Sequence, residues 1–323
     1  MSAPLLTVTG LVKHYQSGGF LSRPTPPVKA VDGVSFEIAP GETLGLVGES
    51  GSGKSTVGRA VLRLEPPTAG TVQFEGRDLA TLDAATMRAT RRRMQIVFQD
   101  PLGALNPRRT IGDSVAEGLV IHRLATRSEL AGRVAQLLEE VGLDASYANR
   151  YPHEFSGGQR QRVGIARALA VEPRFVVCDE PVSALDVSVQ AQVLNLLLDL
   201  REHRQLAYLF IAHDLAVVQQ VAHRVAVMYL GTIVEIGPAR SIISTPRHPY
   251  TQALVSAVPN PDPAKARSRI VLEGEPPSPS APPPGCPFAP RCFHPLRDGR
   301  CHGERPVLRT IGDREVACHF ADS

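Results

Sequence analysis

The 323 residues carry 35 Lys and Arg against 32 Asp and Glu, and the net charge of +3 is almost all arginine, since lysine occurs only as Lys13, Lys29, Lys54 and Lys265. That balance is too weak to argue for nucleic acid, and no window approaches the roughly 18 uninterrupted apolar residues of a membrane-spanning helix. The length suits one large α/β domain plus an appendage, and a start at Met1-Ser2-Ala3-Pro4 with neither a basic region nor an apolar stretch predicts a cytosolic chain.

Residues 5–15 alternate apolar and polar as an edge strand does, ending at Tyr15. A Gly- and Pro-rich loop from Ser17 to Pro27 follows, then a second strand from Val28 to Ile38, so the chain opens with an antiparallel flap. The apolar run Thr43 to Val47 reads as a buried strand and Thr56 to Leu62 as the start of a helix. Between them lies Gly48-Glu49-Ser50-Gly51-Ser52-Gly53-Lys54-Ser55, the phosphate-loop pattern in the strand-loop-helix context it requires. Its glycines let backbone N–H groups converge on phosphate oxygens at a helix N-terminus. Lys54 is placed to reach the β- and γ-phosphates and Ser55 to ligate Mg²⁺.

Gly70 to Gly76 reads as a short strand and turn, and the basic helical piece Met87 to Arg93 feeds the strand Ile96-Val97-Phe98, which stops at Gln99. Arg88, Arg91, Arg92 and Arg93 form a solvated face, because no aromatic residues interleave with them to stack bases. From about 100 to 152 the helical period takes over, with helices at Ile111 to Leu124 and Ser128 to Val141. Ser156 then stands as an N-cap before a long amphipathic helix closed by Glu172-Pro173. Strand Phe175 to Cys178, helix Ser188 to Glu202, strand Tyr208 to Ile211, helix Leu215 to Ala222, strand Val225 to Tyr229 and a last hairpin strand Thr232 to Ile236 imply a mainly parallel sheet covered on both faces. A short helix around Tyr250 to Val258 precedes Pro259, Pro261 and Pro263. Residues 276–290 hold eight prolines, so an extended arm is expected there.

The strand Phe175 to Cys178 runs into two adjacent acids, Asp179 and Glu180. Neighbours on a strand point to opposite faces, so Asp179 can hold Mg²⁺ while Glu180 faces a water in line with the γ-phosphate. Gln99 and His213 also stand just beyond the ends of apolar strands, where ligands gather in sheets of this kind, so both are expected in the same crevice as Lys54.

In order and spacing, Gly48 to Ser55, Gln99, Phe155-Ser156-Gly157-Gly158-Gln159, Val176 to Glu180, Ser183-Ala184-Leu185-Asp186 and His213 resemble the ATP-binding-cassette (ABC) ATPases. The likeness implies an α/β phosphate-loop NTPase with a mainly parallel core sheet, an N-terminal antiparallel β subdomain and a helical insertion at about 100–165. It implies a nucleotide-binding domain over 1–240, with 241–323 as a small extension. It further implies a head-to-tail dimer in which ATP lies between the loop Gly48 to Thr56 of one cassette and Ser156, Gly157, Gly158 and Gln159 of its partner. On the same likeness Tyr15 stacks on adenine, Gln99 senses metal and attacking water, Glu180 is the general base, Asp186 communicates across the dimer and His213 contacts the γ-phosphate. Phe155 replaces the commoner Leu, without chemical consequence, because both are apolar.

Val28 to Phe36, Leu105-Asn106-Pro107-Arg108, Tyr151 to Gln159, Glu180 to Val193 and His248-Pro249-Tyr250-Thr251 narrow the resemblance to the dipeptide/oligopeptide importer ATPases, and to the second of their two paired ATPase subunits. That resemblance implies an ATPase peripheral to the cytoplasmic face of the cell membrane. Its partners would be a paired ATPase subunit, two membrane permeases and an extracytoplasmic solute-binding protein. The same motor could serve another solute, such as nickel or a glutathione-like peptide. A soluble ABC ATPase of repair or translation would bring a long coiled coil or two cassettes in one chain, and a GTPase an Asn-Lys-x-Asp motif; this chain has neither.

Cys286, Cys292, Cys301 and Cys318 are separated by five, eight and sixteen residues. In a reducing compartment such a cluster suggests metal more than disulfides, yet the close pair of a zinc knuckle is missing. A [4Fe–4S] cluster tolerates irregular spacing, and resemblance to the importer family's C-terminal extension implies one. Zn²⁺ on these cysteines or on His294, His302 or His319, or four free thiols, are the other readings.

Overall fold

The computed structural model describes residues 3–16, 26–101, 103–258 and 268–322. In chain order the elements are β1 (Leu6–Tyr15), β2 (Val28–Ile38), β3 (Thr43–Val47), α1 (Lys54–Val61), β4 (Ala69–Phe74), β5 (Arg77–Asp78), α2 (Ala84–Arg93) and β6 (Met94–Val97). They continue with α3 (Ile111–Ile121), α4 (Leu130–Glu140), α5 (Gly157–Leu169), β7 (Phe175–Asp179), α6 (Val187–Arg204), β8 (Ala207–Ala212), α7 (Leu215–Val221), β9 (Arg224–Tyr229) and β10 (Thr232–Pro238). The C-terminal part adds α8 (Ala239–Ser244), α9 (Pro249–Ser256), α10 (Gly299–Gly303), β11 (Arg309–Ile311) and β12 (Arg314–Val316). The expected loop residues 17–25 and Pro259, Pro261 and Pro263 lie outside the described residues.

Contacts divide the chain into two compact units, one comprising the described residues of Leu6–Ile38, Thr43–Ala80 and Ile211–Ser323, the other those of Met1–Leu5, Ala39–Glu42 and Thr81–Phe210.

In the first unit β2-β1-β4-β5 form an antiparallel sheet. Leu6 pairs with Ile38 on one side and with Phe74 on the other, so β1 lies between two strands and is not the edge strand its alternation suggested. Alternation reports one buried face and says nothing about lateral neighbours. A second sheet in this unit runs β11-β12-β10-β9-β3. β3 and β9 are parallel, pairing Leu44 with Arg224 through Val47 with Val227, while β9, β10 and β12 are antiparallel. β3 is buried at every position, as a strand covered on both faces must be.

The hairpin strand expected to end the sheet does not end it. β12 adds to β10, pairing Glu235 with Val316, and β11 adds to β12. Arg314 on β12 donates to the fully buried Glu235 at 3.4 Å and also to the carbonyls of Ser241 and Thr245 at 2.9 and 2.7 Å. Losing that arginine leaves the buried carboxylate without its counter-charge, although the N–H groups of Arg247 and His248 still donate to it at 3.1 and 2.9 Å. The cost is therefore at most about 3–5 kcal/mol, that of a broken buried pair. The cysteine-bearing tail is therefore stitched to the sheet. It also contributes core: Phe288, Ala289, Val316 and Ala321 are all buried.

In the second unit β6 and β7 pair in parallel, Met94 with Phe175 through Val97 with Cys178, and residues 207–210 of β8 lie beside β7. All five residues of β7 are buried, and burial pushes the Cys178 thiol far up, so it serves as a small core residue. The helical region stands as its period predicts. Ile111, Val115 and Leu119 of α3 recur every fourth residue and are fully buried, as is Leu138 of α4, while Val163, Ala166 and Leu169 supply the α5 face. Truncating any of these large side chains to Ala would cost about 2–5 kcal/mol.

Candidate functional site

The first unit carries the phosphate loop. β3 ends at Val47, the chain crosses Gly48 to Gly53, and α1 begins at Lys54 with Gly53 as its N-cap at φ +101°. Only glycine fits there: a Cβ on Gly53 would stand 2.0 Å from the Ala30 carbonyl oxygen, and one on Gly48 2.1 Å from that of Met228. The loop is tied to the turn between β9 and β10, because the N–H of Gly231 donates to the Ser52 carbonyl at 3.0 Å. Lys54 is 4% exposed and folds over the loop, its Nζ donating to the carbonyls of Gly48 and Glu49 at 2.8 and 2.9 Å and to Ser52 Oγ at 3.4 Å. A buried ammonium held by carbonyl dipoles is ready to exchange them for phosphate oxygens, which offer full charge at equal reach.

Tyr15 ends β1 with its ring partly exposed and Lys13 Nζ 5.1 Å from the ring centroid. Its hydroxyl donates to the Glu65 carboxylate, and burial together with that acid raises its pKa. An exposed aromatic face of this kind can take a planar base by stacking. His213 is exposed just past β8, and Asp214 after it caps α7 by accepting the N–H of Ala216 at 2.8 Å.

Two residues that sequence reasoning missed hold the loop from the C-terminal side. Tyr250 Oη accepts the Glu49 N–H at 2.8 Å, and Arg291 Nη1 donates to the Glu49 carboxylate at 2.8 Å. Burial opposes charge on Arg291, but Glu49 and Tyr229 more than offset it and its pKa is raised. His248-Pro249-Tyr250 stood out only as a family marker, and contacts 201 and 242 residues apart leave no local signal.

The second unit carries the acids. Asp179 closes β7 and is buried, and Glu180 follows with φ +46°, a left-handed conformation uncommon outside glycine. Strain of this kind persists where the surroundings impose it, and it gathers at functional sites. Ser183 fixes the turn, its N–H and Oγ donating to the Glu180 carbonyl at 3.3 and 3.1 Å. Gln99 Nε2 donates to Glu180 Oε2 at 3.1 Å. Ser156 and Gln159 form the predicted N-cap as a reciprocal capping box: the Gln159 N–H donates to Ser156 Oγ at 3.3 Å and the Ser156 N–H to Gln159 Oε1 at 3.0 Å. Gly157 is exposed beside them, and a Cβ on Gly158 would stand 2.3 Å from Val189 Cγ1. Asp186 is an exposed N-cap of α6 whose side chain makes no capping bond. Of the expected magnesium ligands, Ser55 belongs to the first unit, and Gln99 and Asp179 to the second.

In the first unit, Cys286, Cys292, Cys301 and Cys318 are all free thiols. The Cys286 N–H donates to the Cys301 carbonyl at 2.8 Å, and burial, then the neighbouring thiols, raise the pKa values of Cys286, Cys292 and Cys318. Cys286 is pushed up to about 11, first by burial and then by Cys292, Cys318 and Cys301. Against this, the backbone N–H groups of Phe288, His294 and Phe320 each favour the thiolate of the cysteine two residues earlier. Among the described residues no three of His, Cys, Asp and Glu stand as a metal ion would require, so the expected metal centre is not assembled in this geometry.

A strand-borne phosphate loop, a second strand ending in Asp-Glu under a glutamine, and a Ser-Gly-Gly-Gln helix cap together define an ATP-binding cassette. Residues 31–183 match the ABC transporter family and residues 234–301 the oligopeptide/dipeptide transporter C-terminal region. The chain is 54% identical over 308 residues, 95% of each chain, to a putative peptide import ATP-binding protein of Brucella ovis. It is 48% identical over 322 residues, 100% of this chain and 96% of the other, to the dipeptide transport ATP-binding protein DppF of Escherichia coli. Among solved structures, the ATP-binding cassette MJ0796, in a dimeric post-hydrolysis state bound to ADP and Pi, superposes with a TM-score of 0.65 at 29% identity, covering 73% of this chain and 99% of that one. The chain belongs to the ATP-binding subunits of the dipeptide/oligopeptide ABC importers, and it is an ATPase.

Proposed function

We propose that this chain hydrolyses ATP to drive import of dipeptides or oligopeptides. The likeness to peptide import ATP-binding proteins over nearly the full length of both chains carries this reading. It works as one of two paired ATPases under two membrane permeases supplied by an extracytoplasmic solute-binding protein, peripheral at the cytoplasmic face of the membrane. Among the described residues no helix is long and apolar enough to cross a membrane itself.

Within the motor, residues Gly48 to Thr56 hold the triphosphate, Tyr15 stacks on adenine, and Ser55, Gln99 and Asp179 hold Mg²⁺. Glu180 takes the proton of the attacking water while Gln99 orients the pair, which the 3.1 Å hydrogen bond between them supports. His213 contacts the γ-phosphate. Ser156 to Gln159 present a helix N-terminus to the nucleotide of the paired subunit, with Asp186 relaying between the two; the exposure of Ser156, Gly157 and Asp186 supports that reading.

The four cysteines bind a [4Fe–4S] cluster in this reading, or Zn²⁺ as the alternative. Support comes from the Phe320 N–H, which donates to Cys318 Sγ at 3.4 Å, a contact that stabilises a thiolate ligand. Such a centre would lock the tail.

Co-purification with the membrane subunits from the native host, followed by reconstitution, tests the function. ATP hydrolysis should rise when a peptide and its binding protein are supplied, and stimulation by nickel alone would assign a different cargo to the same motor.

A further inference from the structure

The phosphate loop holds an acid where a polyanion is to bind. Glu49 is the second residue of the loop, and its negative charge opposes a triphosphate. Arg291 meets that carboxylate at 2.8 Å; its own side chain is 8% exposed and that of Glu49 30%, so the guanidinium is shielded from water while the carboxylate is partly open to it. The neighbouring Glu49 N–H is taken up by Tyr250.

Both holding residues are themselves held. Tyr250 is fully buried, its ring centroid 4.7 Å from Tyr229 and 5.4 Å from Phe288. Phe288 also lies 5.2 Å from Tyr229 and 5.7 Å from His248. It sits three residues before Arg291 in the turn Cys286 to Cys292, and the Arg291 N–H donates to the Phe288 carbonyl at 3.0 Å. The aromatic cluster thus anchors the short turn that aims the guanidinium at the loop. This rigid chain of contacts runs from the cysteine-bearing tail to the first turn of the phosphate loop.

We propose that Arg291, supported by Tyr250, is a positioning residue of the nucleotide site: it neutralises and anchors Glu49, so that the C-terminal extension completes the phosphate loop. The proposal rests on reading residues 48–56 as the ATP site. Arginine suits the task because its fork stays charged when buried.

The test is equilibrium binding of a fluorescent ATP analogue with Mg²⁺ to the full-length subunit. Wild type should bind and Lys54→Ala should not; indifference to Lys54→Ala would overturn the ATP-site reading and the proposal with it. Arg291→Met should weaken binding about tenfold, a usual size for coupled neighbouring charges, while Arg291→Lys stays much nearer wild type. The decisive variant is Glu49→Gln/Arg291→Met, in which no carboxylate remains to be neutralised, and binding should recover to within about threefold of Glu49→Gln alone. A role in packing alone would leave the double variant as weak as Arg291→Met, and that result, or a normal affinity in Arg291→Met, overturns the proposal. Tyr250→Phe keeps the ring and loses only the acceptor for the Glu49 N–H; it folds whether or not Arg291→Met does, and unaltered binding would remove Tyr250 from the account.

Discussion

Gln99 donates its side-chain amide to the carboxylate of Glu180 at 3.1 Å, and the backbone of Glu180 stands at φ +46°. A base that is both strained and hydrogen-bonded is preset in one orientation. Glu180→Gln preserves shape and loses only basicity. The purified transporter should keep ATP affinity while turnover falls roughly 10²–10⁴-fold, the usual worth of a positioned general base. Near-normal ATPase activity would remove Glu180 from that role.

Ser156 and Gly158 test the trans reading of the signature, and their surroundings rank the two substitutions. Gly158→Asp would drive a Cβ into Val189 Cγ1, 2.3 Å away, and so disturbs its own subunit first. Ser156 is exposed, and Ser156→Arg removes one N-cap oxygen, a loss of about 1 kcal/mol. Ser156→Arg should therefore fold, bind ATP at its own loop and block hydrolysis in the assembled pair. If the isolated subunit lost ATP affinity as fully as Lys54→Ala does, the signature would be acting in cis.

The order of strands and helices and the motifs at their ends were legible in the sequence because each is local: a buried run, a cap, a glycine turn. The N-cap at Ser156 stands where the sequence placed it, and Gln159 completes it as a capping box. Lateral position was not legible, and β1 proved interior because its second neighbour, β4, lies about sixty residues downstream. The core that the tail contributes was not legible for a related reason. Phe288 is one aromatic residue in a Pro-rich run and has no period to read, yet it is 1% exposed against Tyr229 and Tyr250. β11 and β12, three residues each, are too short to announce themselves but extend the sheet.

The cysteines make a visible prediction. Protein purified without oxygen should be brown and carry about four irons per chain. Cys292→Ser should abolish the colour while the chain retains ATP binding. A colourless anaerobic preparation with about one zinc per chain would decide for the structural-zinc alternative, and no metal at all would leave four free thiols.

His248 sets an acid limit on stability. It is 1% exposed, its Nδ1 accepts the Tyr250 N–H at 3.1 Å, and burial holds its pKa at about 3, far below the ordinary imidazole value. The folded chain keeps the ring neutral, whereas the unfolded chain protonates it below about pH 6.5, so between these values the unfolded state binds the extra proton. Stability is therefore full above the unfolded value and falls as pH drops through the window toward 3. At about 1.4 kcal/mol per pH unit, the loss attributable to His248 is roughly 2 kcal/mol by pH 5. His248→Asn keeps an N-cap acceptor and cannot titrate. Urea unfolding midpoints of the full chain at pH 7.5 and 5 should fall further for wild type than for this variant. Equal drops in the two proteins would place the acid sensitivity elsewhere.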